Sequence, residues 1–132
     1  MTDIQFFEEA ILTTKRLRVT FLRDGKLQAL RFTGIIVAED WRALRAVFSL
    51  LMGLNGTCII ELSDVMMFDS TFYSFLVWVR LARETRGIHF AIVASERTEH
   101  RLLAAGVGKW SWLALYRDFT SARTGMLTPE AG

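Results

Sequence analysis

The chain has 132 residues and a net charge of +2, and 52% of its residues are hydrophobic against 23% charged. That length suits one domain with one core, and that balance excludes a disordered chain. One proline and nine glycines leave no stretch for a long flexible linker, and no apolar run approaches the ~20 residues that span a bilayer.

The N-terminal stretch MTDIQFFEEAILTTKR carries acids where a signal peptide has a basic region, and it lacks a continuous apolar segment. The expectation is a soluble, cytoplasmic protein with no direct membrane insertion. Cys58 is the single cysteine and lies inside the apolar run TCIIEL. It reads as a buried, reduced thiol, and a disulfide within the chain is excluded. The first third is the most basic, with Lys15, Arg16, Arg18, Arg23, Lys26 and Arg31 among its cations. They are scattered and not interleaved with aromatic residues, so they read as a solvated surface and not as a nucleic-acid footprint.

In chain order, residues 3–14 have Ile4, Phe7 and Ile11 at helical spacing, which predicts a short amphipathic N-terminal extension. LRVTFLR and LQALRFTG follow, separated by DGK, and Asp24-Gly25 is a strong hairpin signal. From Glu39 the period changes to that of a helix, with Trp41, Leu44, Val47, Phe48 and Leu51 on one side. TCIIEL then reads as a buried central strand. Residues 63–71, SDVMMFDST, read as the loop that leads into a second helix over 70–86. IHFAIVA is a further central strand, and Ser95 caps a third helix, ERTEHRLLAA, which stops at Gly106. An edge strand near Leu113 to Tyr116 and a short helix from Thr120 complete the order, and 128–132 form a flexible tail.

A hairpin followed by alternating helices and strands predicts an α/β fold. Its mixed sheet has an antiparallel edge from the N-terminal hairpin and then parallel strands joined by helical crossovers. One domain over 1–132, with its core at about 17–123, accommodates all of it.

Chemistry in such folds sits between a strand's carboxyl end and the next helix, where this chain places Asp69 and Ser70. The local residues leave two readings. A phosphate on Ser70 would meet the unpaired amides and positive dipole of the helix start, with Asp69 and Thr71 as neighbours. Equally, Asp69, Ser70 or Thr71 would serve as the cap for those amides. On the helix itself, Phe72, Phe75, Leu76 and Val79 make a core face, yet Tyr73, Val77, Trp78 and Leu81 lie off it and are also apolar. A helix apolar most of the way round is covered twice. The cover is a partner, a second copy of the chain, or its own N-terminal extension.

The run IIELSDVMMFDSTFYSFLVWVRLARETRGIHFAIVA with ERTEHRLLAAGVGKW resembles the STAS domain of bacterial anti-sigma factor antagonists. In that family a central strand ends in a D-x-S-x-V-x-x-x-D-S type of pattern, and later a helix ends in an L-x-x-x-G turn. Here those pieces are Glu61 to Val65, Asp69-Ser70, and Leu102 to Val107. The resemblance spans roughly residues 17–123, and only the Asp69-Ser70 segment is specific to the family.

It implies a STAS-like fold and a non-enzymatic partner switch. The domain would bind an anti-sigma factor that is also a serine kinase, and phosphorylation of Ser70 would break the complex. The implied recognition surface is Asp64, Asp69, Ser70 and the start of the following helix with Phe72, Tyr73, Val77 and Trp78. The chain departs from the pattern just after the serine. The family has a small residue and a G-L-G type of helix start where this chain has Thr71, Phe72, Tyr73 and Ser74. STAS-like domains also serve as constitutive subunits of transport complexes and other multiprotein assemblies, and the aromatic start leaves that alternative open, as it does a homodimer.

Other chemistry finds little support. There is no phosphate-binding glycine loop and no nucleophile elbow. Glu61, Asp64 and Asp69 fall within nine residues, but solvated acids explain them better than a metal. His89 and His100 lack partners for catalysis, and Trp110 and Trp112 suit packing at the sheet edge. No cofactor, no metal and no enzymatic activity are expected.

Overall fold

The computed structural model describes residues 7–24 and 27–127. Six strands form one sheet in sequential order: β1 (Phe7–Thr13), β2 (Leu17–Asp24), β3 (Leu27–Ile36), β4 (Thr57–Phe68), β5 (His89–Val93) and β6 (Ala114–Tyr116). Strand β2 runs antiparallel to both of its neighbours, β1 and β3, whereas β3 to β6 run parallel. The crossovers carry α1 (Trp41–Leu51), α2 (Ser70–Arg86) and α3 (Glu96–Ala104), and α4 (Phe119–Leu127) follows β6. This is the mixed α/β sheet expected from the hairpin and the alternating pattern.

The three crossover helices share one core with one face of the sheet. Leu44 and Val47 of α1, Phe72, Phe75 and Val79 of α2, and Leu102 of α3 pack there on Val19, Phe32, Ile60 and Ile92. The rings of Phe32 and Phe75 meet edge to face at 5.7 Å, a geometry that aromatic quadrupoles favour. On the opposite face α4 covers a smaller cluster of Leu22, Ala29, Ile59, Ala91 and Val93 through Ala122. The central strands are therefore buried on both faces, which is why TCIIEL and HFAIV read as continuous apolar runs. Cys58 is wholly buried, and that burial pushes its thiol up to about 12, so it behaves as a small core hydrophobe.

Two sequence expectations are corrected. Residues 7–13 are a strand, not part of a helix; residues 3–6 of the expected helix lie outside the described residues, as do the hairpin tip at 25–26 and the tail at 128–132. An isolated helix of about twelve residues is marginal in water, and β2 offers a free edge of backbone donors and acceptors. A bulge at Ile11, where the register shifts between Ala10 and Leu12, fits the segment to that edge. The other correction concerns 63–68, expected as loop but continuing β4 to Phe68. Strand β3 runs on to Ile36 and supplies a parallel partner the whole way. Register shifts between Arg31 and Thr33 and between Gly34 and Ile35 break the alternation, so Val65 and Phe68 point inward while Ser63, Asp64, Met66 and Met67 are exposed.

Gly34 makes that path possible. It has φ +107°, and a Cβ there would lie 2.1 Å from the carbonyl oxygen of Arg16, which accepts from the Ile35 N–H at 2.9 Å. Gly34→Ala is expected to destabilise the fold by roughly 2 to 4 kcal/mol, from the left-handed backbone and the clash together, measured by urea denaturation.

Candidate functional site

The site stands where β4 hands over to α2. The Asp69 N–H donates to the Ile36 carbonyl at 3.0 Å, so the ends of β3 and β4 are tied just before the helix begins. Asp69 is the N-cap of α2: its carboxylate accepts from the Thr71 N–H at 2.8 Å. The other carboxylate oxygen accepts from the Ala38 N–H at 3.0 Å and so reaches the turn that opens α1. Partial burial pushes the Asp69 carboxyl up, but the bonds from Thr71 and Ala38 outweigh it and hold the group below the usual carboxylate range.

That turn is held from its other side by Asp40, a buried carboxylate. It accepts from the Thr14 hydroxyl at 3.2 Å and pairs with Arg16 at 3.4 Å. A chain of contacts thus runs from the β1–β2 turn through residues 37–40 to the start of α2.

Ser70 is the first residue of α2 and is exposed. Its hydroxyl makes no hydrogen bond among the described residues, because Asp69 has taken the capping position. Thr71 is half-buried, and Asp64 is exposed on the outer side of β4. The residues of the helix face three ways. Phe72 is fully buried against Phe32 and Phe68, so it cannot meet a partner directly, and its place in the recognition surface is corrected. Tyr73 leans toward α3: its ring meets Phe68 at 5.5 Å and its hydroxyl donates to the Arg101 carbonyl at 3.3 Å. Trp78 leans toward α1, 4.4 Å from the Trp41 ring and 5.2 Å from Phe48. Among the described residues, the second cover over α2 comes from α1 and α3. Outward on α2 lies a stripe of Ser70, Ser74, Val77 and Leu81, with Val77 55% and Leu81 47% exposed, beside the exposed Arg80–Glu84 ion pair and the exposed Thr85 and Arg86.

Arg101 was not singled out from the sequence. Its guanidinium lies 4.6 Å over the Phe68 ring and donates to the Phe68 carbonyl at 2.9 Å. Ala38 was missed as well, and Trp41 was read only as part of the apolar side of its helix. Their partners are more than thirty positions away, so no local signal marks them.

The carboxylates weighed as a metal site have separate occupations. Glu61 is buried and bonded to Arg31 at 3.0 Å and to the Ser63 N–H at 2.8 Å, while Asp69 caps α2. Among the described residues no cluster of acids, histidines or cysteines could hold a metal ion, and no helix is long and apolar enough to cross a membrane. His89 and His100 are exposed on β5 and α3. Trp110 and Trp112 stack at 5.6 Å and pack partly buried against the core.

No family model matches the chain, and no curated protein does. Solved structures do. An anti-sigma factor antagonist from Mycobacterium paratuberculosis aligns over 89% of this chain and 100% of its own, with TM-score 0.66 and 19% identity. The anti-sigma factor antagonist SpoIIAA in its unphosphorylated form aligns over 92% and 96%, with TM-score 0.57 and 12% identity. A protein of SpoIIAA-like fold from Shewanella loihica PV-4 aligns over 96% and 98%, with TM-score 0.55 and 14% identity. The chain has the STAS-like fold of the anti-sigma factor antagonists.

Removing the cap tests its weight. Asp69→Ala should cost about 1 to 2 kcal/mol at pH 7. Because the folded carboxyl titrates below its unfolded value of 3.8, its stabilisation is present above that pH and lost as pH falls through the folded value. The gap between wild type and variant in denaturation midpoint should therefore close below about pH 4.

Proposed function

We propose that this protein is a non-enzymatic bacterial signalling module that binds a partner protein and is switched by phosphorylation of Ser70. The partner is an anti-sigma factor that doubles as a serine kinase, which makes the module a cytoplasmic regulator of transcription. One observation carries this reading: Asp69 caps α2, so the neighbouring exposed Ser70 has no structural duty to explain its hydroxyl. The likeness to anti-sigma factor antagonists in fold supports it, and one of those is described as an unphosphorylated form.

In the modification, the Ser70 Oγ forms a bond to the γ-phosphorus of a nucleoside triphosphate held by the kinase. The bridging P–O bond breaks to leave the nucleoside diphosphate, and the hydroxyl proton passes to a base of the kinase. The product places nearly two negative charges beside Asp69 at the rim of the contact surface. That surface comprises Asp64, Asp69, Ser70 and the outward stripe of α2 that includes Val77, flanked by half-buried Tyr73. Trp78 supports it from behind by wedging α2 on α1.

A second reading has its own observation. Met66 and Met67 near the end of β4 and Val77 and Leu81 along α2 are exposed apolar residues, and they suit a constitutive subunit of a transporter or assembly, or a homodimer, with no switch.

Pull-downs with wild type, Ser70→Ala and Ser70→Asp as baits separate the two. The switch predicts one protein held by wild type and Ser70→Ala and lost, at least tenfold, with Ser70→Asp. Equal capture by all three, together with loss on Val77→Asp, is the signature of a fixed subunit and refutes the switch.

A further inference from the structure

Ser70 and Tyr73 stand three residues apart on α2, the spacing of neighbours on a helix surface. Tyr73 is the side chain that reaches α3, through its bond to the Arg101 carbonyl. Arg101 in turn lays its guanidinium on the Phe68 ring and carbonyl, two residues before Ser70. A cation from α3 is thereby carried to the start of α2. Arg101 is half-buried, and among the described residues it makes no ion pair; the α3 acids Glu96 and Glu99 face Arg117 instead. A guanidinium has five N–H donors, and a partly desolvated cation without a counter-charge gains from any anion placed beside it.

A phosphate on Ser70 would need such a partner. Two of the donors a helix start ordinarily offers are in use here, the Thr71 N–H on the Asp69 carboxylate and the Phe72 N–H on the Asp69 carbonyl, which leaves the Ser70 N–H. Asp69 itself repels the phosphate. The compensating charge has to come from a side chain.

We propose that Arg101 reads the phosphate on Ser70. Its guanidinium turns from the Phe68 carbonyl to the phosphoserine oxygens, in the paired N–H geometry that arginine gives phosphates. This rests on Ser70 being the phosphoacceptor, and it adds a positioning residue through which modification at α2 reaches α3. Arg97, exposed one turn earlier on α3, contributes a second positive charge on approach. Phosphorylation then alters two things at once: the charge at the rim, and the tie between α3 and the end of β4.

The test is a double cycle on the isolated chain. Phosphoserine is installed at position 70, or not, with Arg101 intact or replaced in Arg101→Gln, and four melting temperatures are read. The phosphate should raise the melting temperature by about 3 to 6 °C more with Arg101 than with glutamine, and Arg101→Lys should recover part of the difference. An equal effect of phosphate in both backgrounds overturns the proposal. Should Arg101→Gln fail to fold, the Nε–H resonance of Arg101 in the otherwise unaltered chain decides: it moves on phosphorylation if the pair forms, and an unmoved resonance overturns it. No partner is present in either measurement, so failure here leaves the release of a partner by Ser70 standing, whereas failure of that reading appears in the pull-down.

Discussion

The structure depends on one long parallel pairing, β3 against β4. Both strands outrun their neighbours: β5 pairs with β4 only as far as Glu61, yet β4 continues to Phe68 along β3. The continuation lifts the start of α2 clear of the sheet's end. It also leaves part of β4 without a strand on its β5 side, and backbone groups there turn to side chains. The Ser63 N–H goes to Glu61, and the Phe68 carbonyl goes to Arg101. Buried or half-buried backbone groups demand partners, so these two side chains are consequences of the unequal strand lengths. The residues beside Ser70 follow from that geometry.

At the handover itself, two adjacent residues divide the work. Asp69 is short and charged and has two acceptor oxygens, so one carboxylate reaches both the α2 amide and the turn before α1. Through that turn it shares a support with Asp40, Thr14 and Arg16. Serine has a single hydroxyl oxygen and would not bridge those elements. Because the bridge belongs to Asp69, Ser70 needs no structural partner and remains exposed, the presentation that the proposed modification requires.

Much of this was legible in the sequence. The helix over 70–86, the strand HFAIV and the Ser95 cap follow from periodicity and capping chemistry, which act over a few residues. The hairpin followed from Asp24-Gly25 for the same reason. Most of the misses involve partners far along the chain; β1 is the exception, since its partner β2 is the very next strand. Residues 7–13 satisfy a helical spacing through Phe7 and Ile11, but the free edge of β2 decides their state. Ser63 to Phe68 look like loop because two bulges spoil the alternation, and bulges are dictated by the partner strand. Arg101 carries no local mark at all; its meaning comes from being placed over Phe68. At the site, Asp69 and Ser70 could be located, but which of them caps the helix could not, since the deciding contact is with Ala38.

The aromatic start of α2 takes on a different sense once its directions are known. By sequence, Phe72 and Tyr73 stand where the family has a small helix start, and Trp78 belongs to an outward apolar face. Instead Phe72 enters the core, Tyr73 turns to Arg101, and Trp78 wedges between Trp41 and Phe48. Bulk after the serine therefore changes the interior and the seams with α1 and α3. The outward stripe keeps Ser70, Ser74, Val77 and Leu81, at the i, i+4, i+7, i+11 spacing of a helix face. Such a stripe is small and polar beside the serine and apolar further along, so the proposed partner would bury area on Val77 and Leu81 while a phosphate on Ser70 would act at the near end. Under the proposed switch, affinity and switching would fall to different turns of one helix, which the packing of Tyr73 and Trp78 ties to α3 and α1.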